Sequence, residues 1–156
     1  MKKMMKNRKG FTLMEMLIVV AIIAILVIIA IPTFNSALAK SRAATDVANI
    51  RSGYAAALVE AMTNGVEGNT GDTYTLQKDG SVNKTADAGT PYACVGSSKN
   101  ATKGTTIGGK VEVDTDGETS TTGKIGWAKG ATITYTVTET DGVFSVTIAS
   151  AAAKGN

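Results

Sequence analysis

The sequence predicts an α+β protein in which one long N-terminal helix packs on a small antiparallel β-sheet head. Three observations predict it. Sixteen consecutive apolar residues, Met16–Ile31, follow a basic tip. An alanine-rich stretch with helical periodicity then runs to Met62. From Gly65 onward the texture changes, with 15 of the 17 glycines, abundant threonine and short alternating runs. With 156 residues the chain has room for one ordinary domain.

The charge belongs to the tip. The formal net charge is +3, yet Lys2, Lys3, Lys6, Arg8 and Lys9 supply five positive charges within nine residues. Removing residues 1–10 leaves 11 basic and 13 acidic residues, a formal −2. A basic head that seeks nucleic acid is therefore not supported. No charged residue lies between Glu15 and Lys40. Residues 11–31 would be about 31 Å long as a helix, which matches the roughly 30 Å hydrocarbon core of a bilayer. The positive tip before this span keeps the N-terminus cytoplasmic and sends the rest outward.

Composition removes several chemistries. The chain has no histidine, which excludes imidazole acid–base catalysis, Ser–His or Cys–His nucleophiles and imidazole metal sites. Its single cysteine, Cys94, cannot form an internal disulfide, a CxxC pair or a zinc cluster. Cys94 is expected to be a small, semi-buried apolar residue. No enzyme and no cofactor are expected.

Two simple accounts of the N-terminus compete with a more specific one. A cleaved secretory signal would use Ala37-Leu38-Ala39, but typical apolar regions of such signals run about 7–15 residues. A plain membrane anchor has no use for Glu15, whose carboxylate is costly in hydrocarbon. The segment Lys9-Gly10-Phe11-Thr12-Leu13-Met14-Glu15, followed by the apolar run, resembles the N-terminal signature of the type IV prepilin family. That family includes type IV pilins, pseudopilins and competence pilins. Pro32, 22 residues after Gly10, also fits its pattern, and the likeness covers about the first 60 residues.

The resemblance implies a structural subunit with a pilin-roll fold. It implies cutting between Gly10 and Phe11 by a membrane prepilin peptidase, which also methylates the new amino group of Phe11. Glycine leaves room for a protease to approach the backbone. In assembly of the family, Glu15 attracts the Phe11 ammonium of a neighbouring subunit, so both residues act in assembly. An apolar bundle tolerates a carboxylate when it is paired. The first turn of a helix also favours negative charge with no partner subunit at all. The implied partners are copies of the chain in a helical fibre, the prepilin peptidase and methyltransferase, and the assembly machinery of the inner or cytoplasmic membrane. The implied location is the cytoplasmic membrane for the precursor, head outward, and then an extracellular pilus. A pseudopilin of type II secretion or of a competence system shares the signature, and an anchored surface adhesin module is a further alternative. The absence of a disulfide-closed loop favours a Gram-positive origin.

Each remaining segment has its own expectation. Residues 1–10 form the leader, 11–31 the membrane or fibre-core helix, 32–64 its amphipathic half and 65–156 the head. Pro32 removes a helical hydrogen bond and is expected to kink the helix or melt it locally. Ala43, Val47, Ile50, Tyr54, Leu58 and Met62 form one stripe at 3.6-residue spacing, with Asp46 off it. Gly53 is a weak spot in the helix, and Asn64-Gly65 is a stop signal. Thr132–Thr140 and Val143–Ser150 around Asp141-Gly142 read as a hairpin. Lys110–Asp114, Lys124–Ala128 and Tyr74–Lys78 are weaker strand predictions. Asp114, Asp116 and Glu118 are a weak calcium candidate, for which an exposed hairpin turn is the better account. Asn83-Lys84-Thr85 and Asn100-Ala101-Thr102 fit a glycan acceptor pattern that is common by chance.

Overall fold

The fold comes from a computed structural model, in which residues 10–66, 71–84 and 89–151 are described. The leader residues Lys2 to Lys9 and Thr85 of the first glycan triplet lie outside them. The chain divides into two compact units, residues 1–37 and 38–156.

One α-helix, α1 (Leu13–Asn64), includes Pro32 without interruption. Next to the proline, the Thr33 hydroxyl donates to the Ala30 carbonyl at 2.8 Å. The helix ends at the expected stop, where Gly65 takes φ +75°, the left-handed conformation that terminates helices cheaply only in glycine.

Among the described residues the second unit also has seven strands: β1 (Asp72–Leu76), β2 (Val82–Lys84), β3 (Thr106–Ile107), β4 (Val111–Val113), β5 (Lys124–Ile125), β6 (Thr132–Thr140) and β7 (Val143–Ala151). Four of them form an antiparallel sheet in the order β2-β1-β6-β7. The other three form a small sheet, β3-β4-β5. The β6–β7 hairpin is the one predicted: Thr140 pairs with Val143 across Asp141-Gly142. Both turn residues have positive φ, +52° and +76°, as a twist-matched two-residue turn requires. Its dry face carries Ile133, Tyr135 and Val137 on β6 and Ile148 on β7.

Several strand predictions need correction. β1 starts two residues earlier than expected and β5 is only two residues long. The brief strands β2 and β3 carry too little pattern to be seen in the sequence. β4 and β5 pair in parallel, so the acidic segment between them is a crossover and not a hairpin turn.

The helix stripe also changes partway. It holds through Ala43, Val47 and Ile50, then continues through Gly53, Ala57 and Ala61. Tyr54 and Leu58 are half-buried, and Met62 is 56% exposed. The reason lies in the sheet, which presents the buried rings of Tyr74 and Tyr135. Large rings on one surface need small residues opposite, so the helix turns its smallest side chains inward.

Gly53 is thus a packing position and not a weak spot. A Cβ there would stand 2.4 Å from the Tyr135 hydroxyl oxygen and 2.8 Å from Leu76 Cδ1. That hydroxyl donates to the Ile50 carbonyl at 2.9 Å. Gly53→Ala gains up to ~1 kcal/mol in helix propensity. It loses more through overpacking and a displaced buried hydroxyl, each of about 1–3 kcal/mol. A net loss of about 1–5 kcal/mol is expected, measured as a lowered unfolding temperature. A variant as stable as the parent would show that the sheet simply moves aside.

Candidate functional site

The first unit owes its features to the residues at its start. Thr12 precedes the first helical residue, and its amide and hydroxyl both donate to Glu15 Oε2 at 2.9 Å. The Glu15 amide returns a bond to the Thr12 hydroxyl oxygen at 3.2 Å. This reciprocal pair is a capping box, which satisfies amide groups that the first turn leaves without partners. Thr12-x-x-Glu15 ahead of an apolar run is its sequence signal, which charge alone does not reveal.

Gly10 and Phe11 lie before the helix and are exposed, Phe11 at 79%. A Cβ at Gly10 would meet nothing within 4 Å. Nothing in the chain's own packing therefore requires glycine there. Behind the cap, every large apolar side chain from Leu13 to Phe34 is exposed. The helix is long and apolar enough to cross a membrane, and its most apolar window has no buried residue.

The second unit centres on a residue placed off the stripe by sequence. Asp46 is fully buried. Its Oδ1 accepts from the Tyr92 hydroxyl at 2.7 Å and the Val95 amide at 2.8 Å. Its Oδ2 accepts from the Gly96 amide at 2.8 Å and Trp127 Nε1 at 3.1 Å. One helical carboxylate thereby ties down the segment after β2 and the residue just past β5. The signal was available: Asp46 stands three residues after Ala43 and four before Ile50, within the buried face. Cys94 lies beside this node and is buried. Burial, with the Asp46 carboxylate nearby, pushes its thiol up to about 12.

The acidic segment is dispersed. Asp114 Oδ1 accepts from the amides of Asp116 and Gly117 at 2.9 and 3.1 Å. Glu118 accepts from the Ser97 hydroxyl and faces Lys99 at 3.9 Å. Among the described residues, no group of three or more His, Cys, Asp or Glu side chains could hold a metal ion. Asn83 lies on β2, and Asn100 lies in a single 3-10 turn, Ser98–Asn100.

Comparison with known proteins agrees with the geometry of the first unit. Residues 5–31 match the family described as the prokaryotic N-terminal methylation motif. The type IV major fimbrial protein FimA of Dichelobacter nodosus is 58% identical over 40 residues, covering 26% of this chain and 25% of the relative. A fimbrial protein of the same organism matches to the same extent. The chain thus spans about a quarter of the length of the curated relatives it matches. No solved structure matches it significantly. The methylation-motif match is confined to residues 5–31 and the fimbrial likeness to 40 residues, so the similarity to type IV fimbrial proteins lies in a short segment of a chain that folds as one long N-terminal helix and an antiparallel sheet.

Proposed function

We propose that the chain is a structural subunit of a type IV pilus. It enters the membrane as a precursor with the leader inside and the head outside. It is then cut between Gly10 and Phe11, methylated at Phe11 and polymerised through its N-terminal helix. The prepilin peptidase and methyltransferase and the membrane assembly machinery are its processing partners, and copies of itself are its fibre partners. The pilus is its final, extracellular location.

The observation that carries this reading is the exposure of the whole apolar run behind the Thr12–Glu15 cap. Sixteen successive apolar residues in water would be strongly unfavourable, at roughly 25 cal/mol per Å². Lipid in the precursor and neighbouring helices in the fibre supply the missing surroundings. Pro32 suits the same use, because a proline inside a packed helix gives a bend at a fixed place. Residues 11–31 then serve as the membrane and fibre-core segment, 32–64 as the half that carries the head and 65–156 as the rest of that head.

Mass spectrometry of the subunit from sheared surface fibres tests the reading. The expected N-terminus is Phe11 carrying one methyl group. An N-terminus at Lys40 would establish a secretory signal instead, and absence of fibres containing the chain would remove the pilus role.

A further inference from the structure

We infer that the end of unit 38–156 where its helix begins is a rim that takes the phosphate groups of anionic phospholipids. The inference rests on residues 11–31 acting as a membrane span. Lys40 and Arg42 are the first charged residues after Glu15, and both are exposed. They lie about 3 and 6 Å along the helix beyond Leu38, at 1.5 Å per residue.

Other cations join them in space. Arg42 lines a shallow pocket with Lys129 and with Val95, which is 40% exposed. Lys40 lines a second groove with Arg51 and the loop that carries Lys103 between Thr102 and Thr105. Two bonds to the Thr106 carbonyl, at 3.2 and 2.9 Å, hold the Arg51 guanidinium in place and do not use Nη1.

Nothing described in the chain neutralises these groups. The ion pairs among the described residues are Lys84–Asp72, Lys99–Glu118 and Lys124–Glu112, and none includes Lys40, Arg42, Arg51, Lys103 or Lys129. Asp46 is at this end of the helix, but it is buried with both oxygens engaged. Long cationic side chains beside an exposed valine suit the headgroup layer, where charge meets phosphate and methyl groups meet the acyl boundary. Each cation near an anionic surface is worth roughly a fivefold gain in association, and salt weakens it. Chain order favours lipid over a second copy as the occupant, since the covalent link to the span brings Lys40 and Arg42 to a bilayer surface whenever the precursor is inserted.

The full-length precursor, labelled with a fluorophore at Thr102→Cys, is reconstituted in phosphatidylcholine vesicles with or without phosphatidylglycerol. Buried Cys94 stays unlabelled. Flotation with both vesicle types checks insertion separately, so loss of flotation overturns the membrane span itself. Quenching by a headgroup-labelled lipid is expected to rise several-fold with phosphatidylglycerol. High salt, or the triple variant Lys40→Gln, Arg42→Gln, Lys129→Gln, should return it to the neutral-lipid level. The control variant Lys78→Gln, Lys124→Gln should leave it unchanged. Equal quenching in the two lipids would overturn the rim while leaving insertion intact. An equal effect of the control variant, or quenching that follows protein density and not lipid charge, would overturn it as well. The density result would assign the cations to a second copy.

Discussion

Asp46→Ala is expected to destabilise the head by about 3–5 kcal/mol, the cost of removing one side of a buried charged network. Four groups donate to this carboxylate: Tyr92 Oη, Val95 N, Gly96 N and Trp127 Nε1. Truncation leaves them facing a small void. Each buried donor stripped of its partner costs about 1–3 kcal/mol, partly recovered by water where the pocket opens. Gly96 adds to the loss because its backbone lies against the helix. A Cβ there would stand 2.7 Å from the Ala43 amide nitrogen. The loop cannot retreat from Asp46 without giving up that packing.

Asp46→Asn separates charge from shape. Its oxygen can still serve two donors, but its amide group turns N–H toward N–H at the other two, so an intermediate loss is expected. Unfolding of the full chain in mild detergent, followed by fluorescence of the single tryptophan, Trp127, reads both variants. A fall on the order of 10 °C or more is expected for Asp46→Ala. Trp127→Phe removes one donor and should cost far less. The double variant should lose less than the two singles added together, because the groups share one network. Strict additivity, or a change of a degree or two for Asp46→Ala, would show that the carboxylate does not organise the head.

This residue also marks where sequence legibility ends. The helix, its stop at Asn64-Gly65 and the Asp141-Gly142 hairpin are local features, each written in a few adjacent residues with the conformations they demand. The Gly10–Glu15 segment is equally local, so the resemblance to type IV prepilins could be read from it. Asp46 was legible as a polar residue at a helical spacing that points inward, but its four donors lie 46 to 81 residues away. No local pattern states which loops will return to it. The same holds for the turn of the stripe from Tyr54 to Gly53, which is decided by the Tyr74 and Tyr135 rings on the sheet. The parallel β4–β5 pair escaped notice for a related reason. Strands of two or three residues have too few alternations to fix direction.

Replacing Glu15 by Gln is expected to reduce fibre yield roughly tenfold or more while leaving the precursor in the membrane. Two roles meet in this side chain. Within the chain it closes the cap with Thr12. Between chains, in the proposed fibre, its charge meets the Phe11 ammonium of a neighbour. Glutamine separates the two, since an amide oxygen at this position still completes a capping box but carries no charge. Thr12→Ala performs the reverse experiment: it removes the hydroxyl from the cap and leaves the carboxylate. If the charge sets assembly, Glu15→Gln and Glu15→Ala fail alike, and Thr12→Ala still builds fibres. If the cap is what matters, Glu15→Gln assembles normally and Thr12→Ala does not. Fibre yield, membrane fractionation and methylation of Phe11 should be measured on the same cells, so that a subunit never cut is not mistaken for one that cannot pack. Normal fibres from Glu15→Ala would remove the residue from both roles. The charge outcome is expected because glutamine keeps an acceptor for the Thr12 amide and hydroxyl, so the cap survives and only the charge is lost. For a carboxylate among packed apolar helices, the neighbour's ammonium is the group that makes its burial tolerable.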